Sequence, residues 1–396
     1  FAQIQQFLLL LRHFFITMAL QMILARNLNF LQVFNFNWSI SQMKKTLLAM
    51  GVLGAFSSLA FAASNVTLYG VIEEGVLVEK AKHQDTTVQL RSSFDQGSRW
   101  GIKGVEELGN GYSVGFILEQ GFGVDDGNTS NGNYTTSSGF TREAFMYVNG
   151  GFGKFGAGRT GTLSSGAQSN TILTGWALGT GFGLASWTSA IGTSFSRVNN
   201  AVAYSTPSFS GLSLHAMYSN GIGDDTNKWS KNSHYYGIGA KYQAHAIKSS
   251  LIFEAVDNKG GINNLVGNKL NGDTAYAVNF GFEYNLGSVT PMFAYQWADQ
   301  DNGKKTNMFG LSAKVGVAGG DLMVGGRYLF GDDDSIKEGD DKVRAWNVAA
   351  AYVYPLSKRT AVKAFAGYAD GSKAWKDTEN VVYNGYQVYL GLRHSF

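Results

Sequence analysis

Between residues 63 and 396 apolar and polar side chains alternate in segment after segment, and no run there approaches the apolar length of a membrane-crossing helix. Val66, Leu68, Gly70 and Ile72 share one parity, as do Val114, Phe116 and Leu118, then Leu212, Leu214, Ala216 and Tyr218, then Val278, Phe280, Phe282 and Tyr284. Ala345, Asn347, Ala349 and Ala351 stand opposite Trp346, Val348 and Tyr352. A period of two is that of a strand with one apolar face. Short turns punctuate these segments at Gly109-Asn110-Gly111, Gly150-Gly151, Ser208-Phe209-Ser210-Gly211, around Ala244, and at Leu286-Gly287, Gly319-Gly320 and Pro355-Leu356-Ser357. Longer polar stretches lie between them, at 125–138, 221–233, 258–273, 331–342 and 370–380. Short turns alternating with long polar loops are the pattern of a membrane barrel, whose single-chain bacterial forms have an even strand number. The segments predict an all-β fold, a transmembrane antiparallel barrel of about 16 strands.

A soluble β-sandwich or propeller also has many short strands. Against it stand the alternation of connection lengths, aromatic residues gathered near strand ends, and an export signal. Met43 is followed by Lys44 and Lys45, an apolar stretch at 46–59, and Ala60-Phe61-Ala62, the small-x-small pattern of a cleavage site. Residues 43–62 therefore read as a signal peptide, with 63–396 as the exported barrel. Residues 1–42 read as upstream translation foreign to the native product. The rival is an uncleaved membrane anchor over 7–25, which Arg12 and His13 interrupt.

Charged residues make up 15% of the chain, below the usual quarter, which suits an outer surface that meets lipid. The formal net charge of +3 misleads, because the first 62 residues hold Arg12, Arg26, Lys44 and Lys45 and no acid. Removing these four from the 32 basic residues leaves 28 against 29 acidic, or −1, so global charge gives no reason to expect a nucleic-acid partner. With Cys 0 there is no disulfide, thiolate nucleophile or cysteine metal site. Gly151-Phe152-Gly153-Lys154-Phe155-Gly156 matches a dinucleotide fingerprint in letters, but a strand follows it where that motif needs a helix N-terminus. His83, His215, His234, His245 and His394 lack paired ligand spacing, and Asp125-Asp126 and Asp332-Asp333-Asp334 read as solvated loop acids. No nucleophile, base and orienting group come together, so the expectation is no enzyme, no cofactor and no metal.

One stretch breaks the alternation. Residues 160–196 contain no ionisable side chain, yet Arg159 precedes them and Arg197 follows. A connection this long inside a compact chain usually has a function. The expectation is that it folds into the barrel and narrows it.

Several segments together resemble the general porins of Gram-negative outer membranes, in their β-proteobacterial form. The first strand reads Val66-Thr67-Leu68-Tyr69-Gly70. Ser98-Arg99-Trp100-Gly101-Ile102-Lys103-Gly104-Val105-Glu106-Glu107-Leu108-Gly109 and Gly115-Phe116-Ile117-Leu118-Glu119 follow. Next come Thr141-Arg142, Phe152-Gly153-Lys154-Phe155-Gly156-Ala157-Gly158-Arg159 and Asn200-Ala201-Val202-Ala203-Tyr204-Ser205-Thr206-Pro207, and the chain ends in Gly391-Leu392-Arg393-His394-Ser395-Phe396. Each is weak alone, and the order is specific. The resemblance implies a homotrimeric 16-stranded channel with an inward-folded third loop at 160–196. It also implies a terminal Phe396 read during outer-membrane assembly, and lipid and lipopolysaccharide as surroundings.

Parity selects the charges that face the pore. With Trp100, Ile102 and Gly104 outward, Arg99 and Lys103 face in; with Val114, Phe116 and Leu118 outward, so does Glu119; Glu73 has inward parity too. Placing Phe145 and Tyr147 outward turns Arg142 inward. Arg99, Arg142 and Arg197 fall where the resembling family keeps the basic wall of its constriction, and Glu119 where it keeps a lumen acid. That family sets acids of the third loop against the arginines, and 160–196 offers none. Two readings stay open: a net-positive eyelet that prefers small anions, or a field balanced by Glu73, Glu119 or other loops. Glu74 and Glu143 have lipid-face parity, and a turn over 150–152 would pair Glu143 with Arg159, Phe145 with Ala157 and Tyr147 with Phe155. An ion pair there makes sense against another subunit, with a water-exposed rim position as the alternative. The functional expectation is passive diffusion of ions and small hydrophilic solutes. The alternatives are a substrate-specific channel using Trp176 and Trp187, an outer-membrane hydrolase, or a barrel serving as adhesin or structural anchor.

Overall fold

Every pair of hydrogen-bonded strands is antiparallel, and the last strand returns to the first. The computed structural model describes residues 65–129, 139–165, 168–178, 196–223, 225, 228–259, 274–301, 303–334, 340–373 and 384–396. The expectations for 1–42 and for the signal peptide at 43–62 lie outside the described residues.

The strands are β1 Asn65–Ala81, β2 Thr87–Ser92, β3 Arg99–Gly109, β4 Tyr112–Gly121, β5 Glu143–Gly150, β6 Gly153–Gly161, β7 Arg197–Ser205, β8 Leu212–Ser219 and β9 His234–Ala244. They continue as β10 Ile247–Asp257, β11 Thr274–Tyr284, β12 Val289–Gln300, β13 Lys304–Val317, β14 Gly320–Asp333, β15 Lys342–Pro355, β16 Thr360–Gly371 and β17 Gly385–Ser395. β2 pairs with Glu74–Glu79 of β1 and β3 with Asn65–Val71 of the same strand, so the two share one barrel position and seventeen segments make sixteen. The ring closes where β17 pairs with β1 from Val71↔Ser395 to Ala81↔Gly385. Phe396 extends that ladder, exchanging backbone hydrogen bonds with Gly70 at 3.2 and 3.1 Å. The expected 16-stranded antiparallel barrel is thus the observed fold, and closure removes every sheet edge.

On one rim the connections are brief, at 110–111, 151–152, 206–211, 245–246, 285–288, 318–319 and 356–359. The other rim carries the long ones, among them 122–142, 162–196 and 220–233. Two on that rim are short, 82–86 and 301–303, so the alternation is less strict than the sequence suggests.

The outer wall is apolar and uncovered. Val66, Leu68, Val88 and Leu311 are each more than 60% exposed, although a soluble protein would bury them. Such a continuous band is stable only against lipid. Outward aromatics strengthen it through cross-strand pairs: Tyr295 on β12 faces Phe309 on β13 with ring centroids 5.0 Å apart, and Phe309 stacks on Phe330 of β14 at 6.2 Å.

One predicted register is wrong by a residue. The β5–β6 turn holds only Gly151 and Phe152, so Gly150 pairs with Gly153, Ala144 with Arg159, Met146 with Ala157 and Val148 with Phe155. A one-residue slip reverses every side chain. Phe145, Tyr147 and Glu143 therefore point inward, where Phe145 is 2% exposed and Met146 is outward at 60%. Lys154 confirms the face by lying over the rings of Tyr147 and Phe145, at 4.3 and 5.7 Å.

Candidate functional site

The charged cluster on the inner wall starts from a pairing that parity foresees. β3 and β4 join Gly101 to Glu119 and Ile102 to Leu118, which sets Arg99, Gly101, Lys103 and Glu119 on one inner face. Glu119 is shared by two arginines: Arg142 Nε donates to Oε1 at 2.6 Å, and Arg99 Nε lies 3.2 Å from Oε2. Its side chain is 8% exposed, so these are charge-assisted contacts largely shielded from water. Tyr69 of β1 donates its hydroxyl to the same Oε2 at 3.1 Å, and Lys103 lies over the Tyr69 ring at 5.2 Å. Gly101 makes this possible, because a Cβ there would meet the Tyr69 ring at 2.9 Å and the Leu118 carbonyl oxygen at 2.7 Å.

Arg142 reaches this cluster by a route other than the one predicted. It precedes β5 instead of lying in it; its backbone N–H donates to the Glu119 carbonyl at 3.1 Å, and its side chain lies over Gly121, 3.1 Å from where a Cβ would sit. Glu143 is directly opposite Glu119 in the β4–β5 ladder and faces in, not toward lipid. It accepts hydrogen bonds from Thr160 Oγ1 at 2.8 Å and from the Ser169 hydroxyl of the third loop. The cross-strand register that would set Glu143 opposite Arg159 on the outer wall is not the one observed, because Arg159 is in register with Ala144. Arg159 Nε donates instead to the Thr141 carbonyl at 2.8 Å, and its Nη1 to Asn199 Oδ1. Arg197 opens β7 opposite Gly161, with the Gln168 amide against its guanidinium. Glu74 keeps outward parity, and among the described residues neither of its carboxylate oxygens has a hydrogen-bond partner.

Glu73 faces in as predicted but is completely buried and belongs to a second cluster, 3.3 Å from Lys363 Nζ. Lys363 also contacts Asp95. Sequence reading missed Lys363, Asp95, Tyr69, Glu254 and Arg327. Lys363 and Arg327 carry a visible signal, a lone cation inside an apolar strand; Asp95 has none, because it sits where the strand is interrupted.

The described parts of the third loop, 162–165 and 168–178, donate backbone N–H groups to inner-face side chains in succession. Leu163 donates to Tyr235 Oη on β9 at 3.3 Å, Ser164 to Glu254 Oε1 on β10 at 3.2 Å, and Thr174 to Ser250 Oγ on β10 at 3.3 Å. Gly175 donates to Glu283 Oε1 on β11 at 3.2 Å, and Ala177 to Ser312 Oγ on β13 at 3.0 Å. Trp176 then covers the Arg327 guanidinium of β14 at 3.9 Å from its ring centroid. Leu163 and Ile172 pack with Phe145, Val198, Tyr235 and Ile252. Residues 179–195, including Trp187, lie outside the described residues. Among the described residues no group of three or more His, Asp or Glu is placed to hold a metal ion.

Known proteins share this architecture over most of the chain. Outer membrane porin protein 32 of Delftia acidovorans is 29% identical over 373 residues, covering 89% of this chain and 100% of that one. An outer membrane porin protein of Bordetella pertussis is 28% identical over 414 residues, with the same coverage. Among solved structures, an anion-selective porin from Comamonas acidovorans superposes with a TM-score of 0.64 at 25% identity, covering 84% of this chain and all of that one. The family profile described as Gram-negative porin matches residues 48–374, and with the closed barrel and its charged inner wall this establishes that the chain belongs to the Gram-negative porin family.

Proposed function

We propose that the protein forms a water-filled outer-membrane channel for passive diffusion of ions and small hydrophilic solutes, with a preference for small anions. The observation that carries the preference is the sharing of Glu119 between Arg99 and Arg142, which leaves one acid for two guanidinium groups. Counting Lys103 and Arg197 as well gives four cations against the two carboxylates of Glu119 and Glu143. Glu73 and Asp95 add nothing to the balance, because Lys363 contacts both and Arg393 stands opposite Glu73 in the β1–β17 ladder, two cations for two carboxylates. Charge at a narrow, poorly hydrated point sets selectivity, and the third loop is the proposed narrowing element, supported by its anchoring along β9 to β14. The solved anion-selective relative fits the same direction. Reversal potential in planar bilayers under a KCl gradient tests the proposal: the expected sign is that of anion preference, and cation preference overturns it.

Homotrimeric assembly accompanies this reading. It is supported by the trimer form described for a protein of the same fold, OmpT of Vibrio cholerae, which superposes with a TM-score of 0.58. Native mass measurement of the detergent-solubilised protein is expected to give three chains, and a monomer overturns it.

A further inference from the structure

The barrel position shared by β2 and β3 is interrupted by residues 93–98. On β1, Val71 pairs with Arg99 and Glu74 with Ser92, so only Ile72 and Glu73 stand opposite those six residues. A surplus of four residues must leave the sheet, and it turns inward. Both ends of the insertion are tied to the Glu73 backbone: Ser93 N–H donates to the Glu73 carbonyl at 3.0 Å, Ser98 Oγ donates to that carbonyl at 3.1 Å, and Glu73 N–H donates to Ser98 Oγ at 3.0 Å. The tip is held by the Glu73 carboxylate, whose Oε1 accepts from Asp95 N–H at 2.6 Å and Gln96 N–H at 3.3 Å.

From there the insertion lies over the inner faces of β16 and β17. Phe94 stacks on Tyr389 with centroids 4.3 Å apart and meets Phe365 edge-on at 5.2 Å, while Asp95 contacts Lys363. Its other end touches the charged cluster: Gly97 passes so close to Arg142 that a Cβ there would meet Nη1 at 2.6 Å, and the Gly97 carbonyl accepts from Arg99 Nη1 at 2.7 Å. Phe94 also shares one apolar cluster with Leu178, where the described path of the third loop ends after crossing the wall from the opposite direction.

We infer that residues 93–98 form a second constriction element, carried by the wall, which narrows the lumen beside Arg99 and Arg142 and meets the third loop at Leu178. The Glu73–Lys363–Asp95 cluster latches it. One lysine between two carboxylates with side chains at most 8% exposed holds the insertion against the wall, since a buried carboxylate without its cation is strongly unfavourable. The inference rests on the porin reading.

The chain has no cysteine, so Gln96→Cys gives a single reactive position at the tip of the insertion. In single-channel recording, adding a bulky cationic thiosulfonate reagent to Q96C is expected to lower conductance by roughly a third or more. A second variant, Phe94→Ala with Asp95→Asn, is expected to raise conductance by about 1.5- to twofold as the insertion loosens. Wild-type channels that conduct while neither variant departs from wild type overturn the inference and leave the porin reading intact. A Q96C current that is insensitive to the reagent overturns it even where the double variant fails to fold. A wild-type protein that forms no channel overturns both.

Discussion

Glu119→Gln separates the two electrostatic readings of the pore most directly. The substitution keeps the shape of the side chain and removes one negative charge from between two guanidinium groups, whose Nε atoms lie 2.6 and 3.2 Å from its oxygens. Two consequences follow. First, Arg99 and Arg142 lose their shared counter-ion. Removing one partner of a buried pair costs about 3–5 kcal/mol, and the lower figure applies because Arg99, 19% exposed, keeps some contact with pore water. Second, the pore gains one positive charge. For an ion passing about 8 Å away in water this is worth about 0.5 kcal/mol, favourable to an anion and unfavourable to a cation. The difference of about 1 kcal/mol changes the anion-to-cation permeability ratio roughly sixfold without salt screening, and roughly twofold at 0.1 M ionic strength, where the Debye length is about 10 Å. Reversal potentials of wild type and E119Q, measured side by side at two salt concentrations, check both the shift and its screening. An unchanged reversal potential, or a shift toward cations, refutes the assignment of Glu119 to the ion path.

Arg142→Gln is expected to move the reversal potential toward cations, because Glu119 then faces Arg99 alone; a shift the other way would place Arg142 outside the path. Gly101→Val forces a Cβ against the Tyr69 ring and the Leu118 carbonyl. A loss of about 1–3 kcal/mol from overpacking is expected, read as a lower midpoint of the heat-modifiable gel shift, and wild-type thermal behaviour would contradict the close approach. Glu254→Gln weakens the anchor that accepts from both Ser164 N–H and the Tyr235 hydroxyl, the latter at 2.6 Å. The expected result is larger open-channel current noise with little change in mean conductance, and a quiet channel would show that this anchor does not hold the third loop.

Alternation, together with the pattern of connection lengths and the export signal, determined that this chain is a barrel, which strands carry Arg99, Lys103, Glu119 and Glu73 inward, and that the stretch at 160–196 differs from the rest. Those features follow from the two-residue period of a strand with lipid on one side, which is written residue by residue. The tertiary structure decided what depends on register and on distant partners. In β5, apolar residues occupy both parities, Phe145 and Tyr147 on one and Met146 and Val148 on the other, because the inner wall there is itself covered by the third loop. The pattern is then silent, and the length of one turn, two residues instead of three, sends Glu143 into the pore and takes it out of register with Arg159. Residues 93–98 are equally invisible in one dimension: nothing in their composition says that β1 offers only two residues opposite them, so that the chain must leave the sheet and meet Lys363 across β1 and β17. A local period fixes which face a side chain takes; only closure of the ring fixes which charges share that face at contact distance.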